Sequence, residues 1–244
     1  GLGDVYKRQN LIIRNNIVYH GHGGVTVGSE MSGGVKNMHV SNCTFMGTDV
    51  GLRFKSNRGR GGVVENIYIS GIRMTDIPTF AISFNLFYGG RSVSEMLEEG
   101  GIANYSEREP VNEGTPRFRN ISISDITVKG AHQAILLQGL PEMNVENVKF
   151  GNMVIESDNG ILIADASGVL LNNIVLNTKK GNAIDIINSK RIDIKDFEYS
   201  FGSGKDIIIR GEESEMISIT RKNRLPVRDF VFLGKEVDKE LLRF

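Results

Sequence analysis

A single cysteine, Cys43, stands among 244 residues, so no internal disulfide can form and nothing about redox compartment follows. An excess of one charge sign is missing as well: 29 Lys and Arg balance 29 Asp and Glu, a formal net charge of zero. This excludes the global basic field of a nucleic-acid-binding domain, though not a local patch. No apolar run approaches the 18 or more residues of a membrane-crossing helix, so neither nucleic acid nor membrane is expected as a partner. The four histidines, His20, His22, His39 and His132, fit no recognised metal spacing, and neither metal nor cofactor is expected. Proline is scarce, at 5 residues, whereas glycine is abundant at 29 without a collagen-like period. That combination points to many tight turns. With 40% hydrophobic and 24% charged residues, the chain has a globular composition.

What is present is two-residue alternation, from Asn10 to about Thr220. One set of segments reads NLIIRNNIVY (10–19), KNMHVSNCTF (36–45), ENIYISGIRM (65–74), RNISISDITV (119–128), ENVKFGNMVI (146–155) and LNNIVLNT (171–178). A second set interleaves with it, its first apolar residues being Val25, Leu52, Ile82, Ile135, Ile161, Ile184 and Ile207. The steps between these are 27, 30, 53, 26, 23 and 23 residues, and the long one is a coil carrying an insertion. A period of this length marks a solenoid. Isoleucine and valine, not leucine, occupy the fixed places and no helical half is visible, which argues against leucine-rich repeats. The expected fold is all-β: a right-handed single-stranded parallel β-helix of about eight coils. A β-sandwich would not explain two strand types alternating in fixed order. Nor would it explain an asparagine at the start of repeat after repeat, which tolerates a left-handed conformation and can stack into a ladder.

The organisation follows from this pattern. Residues 10–220 form the helix domain and 221–244 a final strand and cap. Residues 87–117 break the alternation as a long inserted loop, with a helical turn or two expected in SVSEMLEEG. The first nine residues, GLGDVYKRQ, precede the pattern and are read as non-native or disordered; they do not form a secretory signal.

Aligning the coils puts Val25 and Val27 in register with Leu52 and Phe54, and these with Ile82 and Phe84, all facing inward. Thr26, Arg53, Lys55, Ser83 and Asn85 then face outward. The same offsets set His22 over Asp49 and Arg58 over Tyr88. Arg53, Lys55, Arg58 and Arg60 fall within eight residues, a local anion site in a neutral protein. The competing reading is an ordinary solvated strand face with a basic turn. Three glycines around His22 in GHGG would let a ligand approach the backbone closely; a solvated loop histidine is the plainer alternative.

YHGHGGVTVGSE (19–30), RFKS (53–56), GRGGVVENIYISGIRM (59–74) and Tyr88 together resemble glycoside hydrolase family 28, the polygalacturonases and their exo-acting and rhamnogalacturonan-active relatives. The resemblance in motif covers about residues 10–90. It implies a galacturonan (pectin) hydrolase of the exo type, acting with inversion on alpha-1,4-galacturonosyl bonds in the full-length parent. His22 matches the histidine beside the family's catalytic acids, in a supporting role. Arg53 and Lys55 match the pair that holds a galacturonate carboxylate, and Tyr88 the tyrosine lining that subsite. Arg58 and Arg60 are placed to hold a second carboxylate near an end blocked by the insertion. The family's essential aspartates lie on coils before its glycine-histidine-glycine motif, and Glu30 and Asp49 match neither. The chain is therefore expected to be a carboxy-terminal fragment lacking the catalytic-aspartate coils, inactive by itself. The parent is expected to be a secreted or periplasmic monomer. A non-catalytic β-helix module that binds acidic polysaccharide and a purely structural solenoid are the alternatives.

Overall fold

The computed structural model describes residues 8–87, 107–201, 206–220 and 231–238, with Glu240, Leu242 and Arg243. Tyr88 and the SVSEMLEEG stretch lie outside the described residues. The architecture is the parallel β-helix, and every strand-to-strand pairing among the described residues is parallel. About seven turns stack along the axis. They begin at residues 8, 35, 63, 117, 145, 166 and 190, and a further turn starts at 215.

One long face stacks β1 (Arg8–Arg14), β4 (Val35–Met46), β6 (Val63–Asn85), β7 (Arg117–Gln138), β8 (Val145–Ala164), β9 (Ala166–Thr178), β11 (Lys190–Phe201), β13 (Glu215–Thr220) and β15 (Leu242–Arg243). Beneath its first coils β2 (Ile17–Tyr19) pairs with β4. A second face begins with β3 (Val25–Val27) and β5 (Leu52–Lys55) and continues through the ends of β6, β7 and β8. It finishes with β10 (Ile184–Ile187), β12 (Ile207–Arg210) and β14 (Val231–Leu233).

The corners explain how strands as long as β6 wrap the axis without losing their pairing. Asn10, Asn37, Asn66, Asn120 and Asn147 all adopt φ between 53° and 58°, a left-handed conformation that asparagine accepts more readily than most residues. Each kinks its strand at the same point of successive turns. Their side chains bond along the axis: Asn37 Nδ2 donates to Asn10 Oδ1 at 3.1 Å, Asn66 to Asn37 at 3.2 Å and Asn147 to Asn120 at 3.2 Å. A second ladder runs through Asp125, Asn152 and Asn173.

Inside, like stacks on like. Leu52, Ile82, Ile135, Ile161, Ile184 and Ile207 are successive rung partners, all buried. Phe54 lies face to face on Phe84, centroids 4.4 Å apart and planes 2° from parallel, and Phe118 meets both rings edge-on. The inward register expected for Val25, Val27, Leu52, Phe54, Ile82 and Phe84 is the one observed.

Candidate functional site

The outward positions of β5 alternate with its buried Leu52 and Phe54, which fixes Arg53 and Lys55 on one face, two residues apart. The turn before β3 delivers His22 and the equivalent turn of the next coil delivers Asp49. Each sits three residues ahead of a rung partner, Val25 or Leu52, so one stacks above the other. The imidazole is held on both sides: Nδ1 lies 2.6 Å from Asp49 Oδ2 and Nε2 lies 2.6 Å from Arg53 Nη1. Because an arginine N–H can only donate, Nε2 accepts, and the ring proton belongs on Nδ1, donating to Asp49. The His22 and Asp49 side chains are 73% and 54% exposed, open to a ligand on the surface. Below them the Thr79 hydroxyl donates to the Asp49 carbonyl, tying this turn to the third coil.

The glycines around His22 have a different reason from the one the sequence suggested. A Cβ on Gly24 would collide with the Phe45 ring and the Gly51 carbonyl, and one on Gly23 with the Thr26 hydroxyl. The chain's own core and neighbouring coil, not a ligand, require the missing side chain there.

Arg58 has its carboxylates, but they are the protein's own. Nε donates to Glu142 Oε1 at 2.7 Å and Nη2 to Glu142 Oε2 at 2.8 Å, while Nη1 lies 3.2 Å from Glu109. Nη2 also donates to the Glu107 carbonyl, and the guanidinium sits 5.5 Å over the Phe87 ring. This couples Phe87, where the insertion leaves the coil, to residues 107–109, where it returns. The Glu142 carboxyl is raised by burial, but Arg58 outweighs that and holds it below the ordinary range. Arg60 is exposed at the adjoining turn, where its amide bonds the Asn57 carbonyl. Sequence reasoning thus grouped four cations, of which the structure unites Arg53 with His22 and assigns Arg58 to Glu142. Glu142 was missed because it lies 84 residues away, beyond the insertion.

Among the described residues no cluster of three or more His, Cys, Asp or Glu could hold a metal ion.

Comparison with known proteins places a family match on this same region. Residues 5–95 match the model described as "Glycosyl hydrolases family 28". Over 84 residues the chain is 42% identical to a polygalacturonase of Ralstonia nicotianae, covering 33% of this chain and 15% of that one. It is 24% identical over 210 residues to an exo-poly-alpha-D-galacturonosidase of Dickeya chrysanthemi, covering 84% of this chain and 31% of the relative. A probable polygalacturonase of Vitis vinifera is 24% identical over 131 residues, or 54% of this chain and 24% of its own. The chain thus spans less than a third of the length of these curated relatives. No solved structure matches significantly.

These matches correct one expectation. The region that carries the family signal is at the amino-terminal end of this chain, and likeness to the Dickeya enzyme continues over most of the remainder. The solenoid likewise runs nearly the whole length. The expectation of a carboxy-terminal remnant is corrected accordingly: the family signal lies within residues 5–95, and the strands of the solenoid extend through nearly all of the described residues.

Proposed function

We propose that this chain belongs to a glycoside hydrolase acting on galacturonan, with the substrate lying across the face that presents His22, Arg53 and Lys55. The observation that carries the reading is the bonded row Asp49–His22–Arg53 beside Lys55, on coils matching that family. Arg53 and Lys55 supply positive charge for a uronate carboxylate, Arg through a directional fork and Lys as a compact point charge. His22 supports: Asp49 fixes its tautomer and ring orientation, and Arg53 engages its second nitrogen. Tyr88 is assigned to the same binding region on the motif resemblance and Arg60 on its charge near the insertion, whereas Arg58 acts by holding the ends of the insertion.

The finer reading is exo-type, inverting cleavage of alpha-1,4-galacturonosyl bonds. It draws on the insertion leaving the coil just after Asn85, the rung partner of Lys55, and on the likeness to the Dickeya enzyme. Inversion requires two carboxyl groups about 6.5–9.5 Å apart flanking the bond. A polymeric pectin substrate supports a secreted or periplasmic location for the full-length parent. Binding without cleavage is the second reading, favoured by the engagement of both His22 ring nitrogens.

Product analysis on polygalacturonate tests all of this. Exo action releases monogalacturonate or digalacturonate early with little loss of viscosity, and inversion gives the β anomer first by proton NMR. Rapid viscosity loss with mid-sized oligomers rejects the exo mode. Retained binding with no new reducing ends in the full-length protein favours the binding module.

A further inference from the structure

Further along the same face, the turn column that holds His22 and Asp49 repeats its chemistry. His132 and Asp158 lie three residues before Ile135 and Ile161, which are rung partners, as His22 and Asp49 lie before Val25 and Leu52. His132 Nδ1 is 3.7 Å from Asp158 Oδ2, and Lys179 Nζ donates to Asp158 Oδ1 at 3.0 Å. Both residues fall beyond the stretch matched to the family model, residues 5–95.

Beside this second pair is a cleft of about 210 Å³ whose walls include Phe80, His132, Asn159, Leu162, Asn182 and Asp185. Drug-sized ligands occupy roughly 300–1,000 Å³, so this space suits a single six-membered sugar ring. Its lining has two characters. Leu162 belongs to a small buried apolar cluster with Leu136, Ala164 and Ile187, against which Phe80 packs. Opposite in kind are Asn159, His132 and Asp185, which offer hydrogen bonds. Asn182 Nδ2 donates to both Asp185 oxygens, at 3.1 and 2.9 Å, and Arg210 Nη2 lies 3.9 Å away. Burial raises the Asp185 carboxyl above its ordinary range, against the opposing pull of Asn182 and Arg210.

The outward column reads Arg53, Ser83, Leu136, Leu162, Asp185 on consecutive coils. Its charge therefore reverses between the two ends, over four rung spacings of about 4.8 Å each. A carboxylate is drawn to the Arg53 end. At the other end it would face a second carboxyl, that of Asp185, whose side chain is only 18% exposed, an arrangement disfavoured by repulsion.

We propose that this cleft is a second saccharide subsite, selective for an uncharged pyranose ring and placed four rungs from Arg53 on the same outward column. The apolar C–H face of the ring rests on Phe80 and Leu162, and its hydroxyls exchange hydrogen bonds with Asn159, His132 and Asp185. The choice of a sugar as ligand rests on the glycoside-hydrolase reading, and selectivity for an uncharged one rests on the lining itself. A substrate engaging both ends would carry uronate and neutral residues in one chain.

Nitrogen-15 NMR titration of the protein with methyl α-galactopyranoside and with its uronate counterpart tests the assignment. The uncharged glycoside is expected to shift the side-chain amides of Asn159 and Asn182. Asp185→Asn and Phe80→Leu, each with a wild-type-like amide spectrum, should weaken it at least fivefold, and Arg53→Ala should leave it within twofold. No shift at Asn159 and Asn182 overturns the proposal. So does an affinity unchanged within twofold in both folded variants, or equal binding of the uronate at these amides. Failure of the uronate to perturb the Arg53 region counts against the galacturonan reading alone, because that signal does not enter the Asp185 measurement.

Discussion

Arg58 at the end of coil two and Glu142 at the end of coil four are joined across coil three by two parallel hydrogen bonds, 2.7 and 2.8 Å long. The carboxylate side of the pair is only 5% exposed, so Glu142 depends on Arg58 for compensation, whereas Arg58 also has Glu109 at 3.2 Å.

Glu142→Ala should therefore destabilise the protein by roughly 3 kcal/mol, the low end for breaking a buried pair, because the guanidinium keeps some solvent. The pH dependence has a definite sign. Glu142 titrates lower folded than its ordinary 4.5, so its contribution is present above that value and is lost as pH falls through the folded value. Denaturant melts should show the gap between wild type and Glu142→Ala closing below about pH 4.5. A gap that stays constant down to pH 3 would mean that packing, not charge pairing, sets the cost.

Why the stacking of His22 over Asp49 is legible in the sequence and the Arg58–Glu142 contact is not comes down to sequence distance. The parallel β-helix repeats its register, so isoleucine and valine spacing was enough to place Phe54 inside, Arg53 outside and His22 over Asp49. Contacts between neighbouring coils follow from that spacing by counting. The Arg58–Glu142 contact skips a coil and crosses the insertion, so no repeat offset leads to it. Glycine is ambiguous for another reason: the letter shows that a side chain is missing but not what occupies the space, and at Gly24 it is Phe45. His132 over Asp158 was legible by the same counting that paired His22 with Asp49. The burial of Asp185 has no such signal, because its register marks an outward position.

The asparagine ladder gives a prediction that separates conformation from hydrogen bonding. Asn66 adopts φ 57° and its amide donates to Asn37 while accepting from Asn120. Asn66→Ala should lose about 1 kcal/mol for each good hydrogen bond and, in addition, the advantage asparagine holds over alanine in the left-handed region, on the order of 1 kcal/mol. Asn66→Gly should lose only the first part. Equal losses in the two variants, measured by thermal melts, would show that backbone strain contributes nothing at this corner.

Asp185 should behave in the opposite sense to Glu142. Its folded carboxyl titrates above the ordinary 3.8, so its ionised form costs stability that is absent below that value and grows as pH rises through the folded value. Asp185→Asn removes the charge without changing the shape. The variant should melt higher than wild type at pH 7, with the difference shrinking toward pH 3. A variant less stable than wild type at pH 7 would show that the pairing with Asn182 and Arg210 outweighs desolvation.

Arg53 stands where fold and proposed chemistry meet, since one of its N–H groups binds His22 while it occupies the outward face of β5. Arg53→Ala removes both contributions, and Arg53→Lys restores the charge without the planar fork. Losing a charge-assisted hydrogen bond to a uronate costs about 1.5–3 kcal/mol, which is roughly ten- to 150-fold in kcat/KM on polygalacturonate. Lysine should recover part of the loss in KM, because it supplies attraction to the carboxylate. It should recover less of kcat if orientation of His22 by the guanidinium matters to the reaction. Measuring both constants for both variants on acidic and neutral substrates separates the roles. A loss of equal size on a neutral galactan would assign Arg53 to holding His22 and Asp49 in place, and would remove it from carboxylate recognition.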